Sequence, residues 1–394
     1  MQELLSRAVA HKSEIIAHRR RIHAFAECGF DLPKTLNYVN GILQKIGYAP
    51  HLYGKAGLVC ELAPSTVAPT LLLRADMDAL PLPERTNLPF RAENGCMHAC
   101  GHDAHTAMLL GAAQLLWERR NTLSVRVRFL FQAAEELLLG ASDAIRSGAS
   151  DGVCGALMMH VGTALPYPSG TLLLPTEGEG APAARFFTVT VKGESAHAGE
   201  PSAGVDALKA AIGLAERIYA MARKEGVALV LGALHGGAAH NVIADRALLR
   251  GTMRSFSLDA IARLSNGMEG ACRAAAAEAS VLWEGECPIL QNDRRMIDLA
   301  KRAALRLGID THSLPPARSG ASEDFAFFAE RMPAVALCLS CGQRGRGYEH
   351  PLHHGQMLLD EEALPIGAAL YAAAALCAAP ADFSNFYQKP SLHN

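Results

Sequence analysis

Apolar residues recur every three to four positions over 3–26 and 33–46, the spacing of amphipathic helices. The period then changes. HLYG at 51–54, GLVCEL at 57–62 and TLLLRAD at 70–76 are short apolar runs that predict strands. A helix is expected over 103–119, a strand in VRVRFLFQ at 125–132, a helix near 137–147 and a strand in GALMMHV at 155–161. Apolar strands alternating with helices imply an α/β architecture, a mixed, mostly parallel sheet flanked by helices. The Gly- and Pro-rich run PTEGEGAPAA at 175–184 breaks that rhythm. After it come strand FFTVTVKG, helix GVDALKAAIGLAERIYAMA, strands VALVLGALHG and ADRALLRGTMRSF, helix LDAIARLSNGMEGACRAAAAEA and strand VLWEGE. That order is ferredoxin-like. It predicts an α+β domain over 178–290, inserted into a main domain made of 1–177 and 291–394. The main pattern resumes with a helix at 293–307, a strand at 334–340 and a helix near 360–378.

Composition narrows the partners. A chain of 394 residues exceeds what one core usually serves, in keeping with two domains. Half the residues are hydrophobic and the net charge is −2, so there is no basic footprint for nucleic acid. No apolar run reaches transmembrane length. The N-terminal stretch MQELLSRAVAHKSEIIAHRRR has helical amphipathicity and lacks the continuous apolar core of a signal peptide. Ten cysteines without such a signal point to a reducing cytoplasm. Cys338 and Cys341 form one CxxC with no second pair, which gives no support to a zinc ribbon.

The candidate chemistry centres on HACGHDAHT at 98–106, which gathers His98, Cys100, His102, Asp103 and His105. Thiolate, imidazole and carboxylate are the ligand types of Zn²⁺ and related ions. Asp103 is placed to cap the helix that follows. Asp76 and Asp78 in RADMDALP could bind metal or orient a metal-bound imidazole. Glu135 and Glu136 are adjacent in FQAAEELLLG. Neighbours in extended chain face opposite sides, so one could bind metal while the other serves as general base. His160 ends an apolar strand, and His353 and His354 precede a helix. All these residues fall in loops after strands, where open α/β sheets build their sites, and together they suffice for a two-metal site. There is no Gly-x-Ser-x-Gly elbow, P-loop or GxGxxG after a strand, so serine hydrolase and nucleotide routes lack support.

With LRADMDALP, HACGHDAHT, QAAEE, GESAHAGEP, HNVIADRALLRGTMRSF, SGASEDFAFF and LHH…DEEAL in hand, the chain resembles the co-catalytic metallopeptidases of the aminoacylase and carboxypeptidase group. The branch is peptidase family M20, subfamily D, which contains hippurate and indoleacetyl-amino-acid hydrolases. The resemblance implies a phosphorylase/hydrolase-like catalytic domain, with the insert as lid and dimerisation domain. It implies two divalent ions per subunit, Zn²⁺ or Mn²⁺, with Co²⁺ or Ni²⁺ as further options. Cys100 would bridge them, and His102, Glu136, His160 and His353 would complete the ligands, His353 being chosen over His354 by its spacing to Asp360 and Glu361. Glu135 matches the general base and Asp78 the aspartate that orients a ligand. His197 matches a lid histidine thought to stabilise the oxyanion from the partner subunit, and Asn241 and Arg254 resemble residues near the substrate carboxylate. The chain departs from the pattern at Ala26, Ala134 and Gly355, where proline is usual, and at Met158 and Met159, where Gly-Leu is commoner. These positions bear on pocket shape rather than on ligands.

The expectation is a cytoplasmic, homodimeric amidohydrolase that cleaves small N-acyl amino acids through a metal-bridging water activated by Glu135. Two alternatives are a dipeptidase or aminopeptidase of the same superfamily and a non-catalytic binding protein on the same fold. A binding protein would have no need to retain both the ligand set and Glu135.

Overall fold

The computed structural model describes residues 1–63, 68–316 and 320–383. The start of SGASEDFAFF at Ser319 therefore lies outside the described residues, as does the chain beyond 383. Contacts divide the chain into two units. One draws on Met1–Gly180, Leu290–Arg318 and Asp324–Asn394, the other on Ala181–Ile289 and Ser319–Glu323.

The first unit opens with helices α1 (Gln2–Ala10), α2 (Lys12–Phe25) and α3 (Pro33–Ile46). The single helix expected over 3–26 is thus two, parted at His11. Strands β1 (His51–Tyr53), β2 (Gly57–Leu62) and β3 (Thr70–Asp76) precede α4 (His102–Glu118). Then follow β4 (Arg126–Gln132), α5 (Gly140–Arg146), β5 (Val153–Gly162), β6 (Leu172–Leu174) and β7 (Gly178–Ala181).

The second unit holds β8 (Ala183–Lys192), α6 (Ala207–Glu225), β9 (Ala228–Gly236), β10 (Arg246–Ser255), α7 (Leu258–Arg273) and β11 (Glu278–Cys287). The chain returns through β12 (Leu290–Asn292), α8 (Arg294–Leu307), β13 (Thr311–Ser313), α9 (Ala326–Ala329), β14 (Ala334–Ser340) and α10 (Leu364–Cys377).

The main sheet runs β1-β2-β4-β3-β5-β14-β6-β13. Its centre is parallel, β4 with β3, β3 with β5 and β5 with β14, while β1, β2 and the β14–β6 pair are antiparallel. Every residue of β3 is buried, as expected of a central strand covered on both faces. Helices α4 and α10 are buried along nearly their whole length and pack on each other. A Cβ at Gly367 would fall 2.0 Å from the Met108 sulfur, so this glycine sets how closely the two helices approach. Tyr371 of α10 finishes the β3–β5 ladder. Its hydroxyl accepts from Met159 N and donates to Arg74 O, both at 2.8 Å, in the row after the Arg74–Met158 pair.

The second unit is one antiparallel sheet, β11-β8-β10-β9, packed against α6 and α7. This is the expected ferredoxin-like order. Asp206 and Ser257 cap the two helices, accepting from Lys209 N and Ala260 N. Among the described residues, no helix is long and apolar enough to cross a membrane.

Candidate metal centre

Register brings the site together. Asp76 at the end of β3 is level with Gln132 at the end of β4, and β5 carries His160 beside them. Residues 76–78, 132–136 and 160–162 therefore share the carboxyl edge of the parallel strands. The loop bearing Cys100 enters α4 through Gly101 at φ +86, and the loop bearing His353 is tied to it by His353 N donating to Ala99 O at 2.8 Å.

Asp103 does not cap α4. Gly101 is the capping position and makes no side-chain bond, while Asp103 is a helical residue whose carboxylate takes Arg19 Nε at 2.9 Å and His23 Nδ1 at 2.8 Å. Glu135 and Glu136 do not lie in extended chain either. They form a turn entered by Ala134 at φ +57 and closed by Leu138 N donating to Glu135 O at 2.7 Å. Gly140 permits it, because a Cβ there would fall 1.8 Å from Ala133 O. The turn makes the two carboxylates converge. Glu136 Oε1 is 3.9 Å and Glu135 Oε2 4.0 Å from His102 Nε2.

Two of the imidazoles are oriented by backbone carbonyls. His102 Nδ1 donates to Asp78 O at 2.8 Å and His160 Nδ1 donates to Val161 O at 2.7 Å, leaving both Nε2 lone pairs for the site. His160 Nε2 lies 3.4 Å from Cys100 Sγ, and His353 Nε2 lies 3.5 Å from Glu136 Oε1. Among the described residues, two of the close donor groups, Cys100–His102–His160 and Cys100–Glu136–His353, share Cys100. His354 instead stacks on His350 at 4.2 Å, and its Nδ1 accepts from Gln356 N.

Asp78 braces the turn. Its two carboxylate oxygens accept from Glu135 N at 3.1 Å and Glu136 N at 3.2 Å, and Oδ1 is 3.3 Å from His102 Nδ1. Asp76, His102 and His105 form another close group, but Asp76 and His105 are committed elsewhere. His105 Nδ1 donates to Asp76 at 2.6 Å and its Nε2 accepts from Val161 N, while the other Asp76 oxygen takes Arg74 Nη1 at 2.7 Å.

These donors fit a divalent cation. His102 Nε2 and Glu136 Oε1 are buried without a hydrogen-bond partner, which is costly for polar atoms unless something else is bound there. Burial, the nearby His102 notwithstanding, pushes Glu136 up to about 7, with Asp78 and Asp76 adding to the rise. Burial likewise drives the Cys100 thiol well above its usual range. Burial opposes charge on His102, yet Asp76 and Cys100 hold its pKa well above normal. All three shifts mark a pocket short of positive charge, which a bound cation would supply.

Three residues in this network were not singled out from the sequence. Fully buried Arg74 reaches Asp76, Gln132 Oε1 (3.0 Å) and Asp324 Oδ1 (2.7 Å), and Asp324 N donates to Glu135 Oε1 at 3.4 Å. A charged residue inside the apolar run TLLLRAD was the available signal. His197, Asn241 and Arg254 belong to the other unit. There the 197 and 241–242 segments pair, with Ala198 N donating to Asn241 O at 3.1 Å, and Arg254 Nη1 lies 3.4 Å from Gly320 O and Ser322 Oγ.

The profile of peptidase family M20/M25/M40 matches residues 72–376, a span that contains Cys100, His102, Glu135, Glu136, His160 and His353. The chain belongs to peptidase family M20. It is 33% identical to N-acetylcysteine deacetylase of Bacillus subtilis over 92% of this chain and 96% of that protein. It is 31% identical to IAA-amino acid hydrolase ILR1-like 4 of Arabidopsis thaliana over 92% of this chain and 84% of that one. Among solved structures it is similar to the YXEP protein of B. subtilis, a dinuclear metal-binding peptidase of the M20 family, with TM-score 0.71, 31% identity and coverage of 93% and 98%. This M20 chain is a metal-dependent hydrolase that acts on amides.

Proposed function

We propose that this M20 enzyme hydrolyses N-acyl amino acids of the N-acetyl, hippurate or indoleacetyl type at a two-metal site. The observation that carries the reading is Cys100, shared by the two donor groups with Glu135 alongside. Cys100, His102, Glu136, His160 and His353 would hold the ions, Zn²⁺ or Mn²⁺. When bound, the ions supply Lewis acidity toward the scissile carbonyl and toward the attacking water. Glu135 takes the proton from that water and later delivers it to the leaving amine. Asp78 holds both glutamates and His102 in register. Arg254 and Asn241 hold the substrate carboxylate. The inserted unit acts as lid and dimerisation domain over residues 178–290, and through it His197 of the partner subunit hydrogen-bonds the tetrahedral oxyanion. Ten free cysteines support action in the cytoplasm.

The test is a screen of N-acetyl, N-benzoyl and indoleacetyl amino acids against enzyme reconstituted with each metal, alongside dipeptides with a free amine and a metal count. Two ions per subunit and turnover of the blocked substrates are expected. Turnover of dipeptides alone would make this an aminopeptidase or dipeptidase instead.

A further inference from the structure

Cys28 and Cys96 are 68 positions apart and meet with their sulfurs 3.0 Å from each other. Both are partly exposed and pack against Ala26, Ala79 and Ala92. Their segments are fixed independently of the thiols. Ala79 N donates to Glu27 O at 2.7 Å, and Cys28 pairs with Ala79 as a β-bridge. Asn94 Nδ2 donates to Phe25 O and Ala26 O at 3.0 and 3.2 Å, while its Oδ1 accepts from Cys96 N. Leu80 and Met97 exchange two hydrogen bonds of 3.0 Å. The facing of the two sulfurs is thus set by the backbone.

We propose that Cys28 and Cys96 are a reversible thiol modification site, closing to a disulfide when a low-molecular-weight disulfide is in excess. Burial and the neighbouring Cys96 push the Cys28 thiol up to about 12; the exchange balances identically whichever sulfur opens it. With Cys96 first, its thiolate attacks one sulfur of the small disulfide. A mixed disulfide forms, the small S–S bond breaks and one small thiolate leaves. Cys28 then gives its proton to solvent and attacks the Cys96 sulfur, forming the internal S–S bond and expelling the second thiolate. Two protein thiols lose two electrons, the small disulfide gains them, and excess small thiol reverses both steps. The link would tie Cys28, bridged to Ala79 beside Asp78, to Cys96, four residues before Cys100. Transient, redox-sensing bridges are the usual kind in reducing compartments.

Metal-loaded enzyme would be equilibrated in glutathione buffers of rising oxidised fraction, alkylated and peptide-mapped without reductant. A Cys28–Cys96 peptide should appear at high oxidised fraction and vanish with reduced glutathione. Inactivation by excess chelator should be at least threefold slower for the oxidised form. Cys28→Ser and Cys96→Ser should each abolish both effects while hydrolysing substrate like the reduced enzyme. Free thiols at every ratio, or a glutathione adduct that never resolves, would overturn the site. A cross-link that leaves chelation unchanged would overturn its hold on the metal centre. The map reads the cross-link whether or not the metal assignment stands.

Discussion

Replacing Asp78 by Asn is the most direct trial of how the glutamate turn is held. The carboxylate accepts Glu135 N and Glu136 N at 3.1 and 3.2 Å and stands 3.3 Å from His102 Nδ1, at 1% exposure. An amide keeps one acceptor oxygen and turns the other into a donor, which then faces a backbone N–H. One charge-assisted bond of roughly 1.5–3 kcal/mol is lost, and a buried N–H left unpaired adds about 1–3 kcal/mol. Relaxation of the turn recovers part of this, so about 3 kcal/mol is expected, or roughly 100-fold in an equilibrium constant. His102 keeps its main bond to the Asp78 carbonyl, which the substitution does not alter. The loss should therefore fall on the glutamates. Metal affinity, measured by competition with a chromophoric chelator, should drop about 10- to 100-fold, the range seen when a partner of a metal ligand is removed. With metal saturating, kcat should still be reduced, because Glu135 shares the displaced turn. An affinity within twofold of wild type, with kcat unchanged, would refute the idea that Asp78 positions this turn.

Glu135→Gln should keep its metals while kcat falls about 10²–10⁴-fold, whereas Glu136→Gln should lose metal, and metal analysis beside turnover would expose exchanged roles. His197→Ala should keep metals and dimer but lose on the order of 10²–10³ in kcat. Mixing it with Glu135→Gln subunits should restore activity if the histidine acts across the dimer, and no recovery despite subunit exchange would count against that. Tyr371→Phe strands Met159 N–H and Arg74 C=O in the core and should lower unfolding free energy by roughly 2–4 kcal/mol in urea titrations. Burial opposes charge on His23, but Asp103 and Glu84 outweigh it and raise its pKa. Its stabilisation is then complete below its ordinary value of 6.5 and is lost as pH rises through the raised one. His23→Gln should flatten the alkaline fall of the urea midpoint.

Hydrophobic periodicity foretold the α/β layer and the ferredoxin-like insertion because long elements carry long signals, and α3 falls on the expected 33–46. Strands β6, β12 and β13, three residues each, are too short to show a period. The break at His11 carries no Gly or Pro to announce it. The site residues were legible as residue types clustered after strands, but their geometry was not. Asp103 looks like a cap until Arg19 and His23, some 80 positions away in sequence, claim its carboxylate. The opposition of Glu135 and Glu136 assumed extended chain, and the left-handed Ala134 reverses it. Asp324 becomes meaningful only once Arg74 and Gln132 converge on it through the sheet.

The place of β14 has a consequence during synthesis. It pairs with β5 near the middle of the main sheet, yet roughly 170 residues separate the end of β5 from the start of β14. At 5–20 residues per second a ribosome needs roughly 10–35 s to deliver it. Through that interval the nascent chain carries β5, an almost wholly buried strand in the finished protein, with one ladder edge open and apolar. Such an edge invites pairing with another chain. Meanwhile the inserted unit, contiguous from Ala181 to Ile289 apart from a short later segment, is made and can begin folding first. Expression yield should therefore depend on elongation speed and chaperone supply across 163–333 more than on the stability of the finished enzyme.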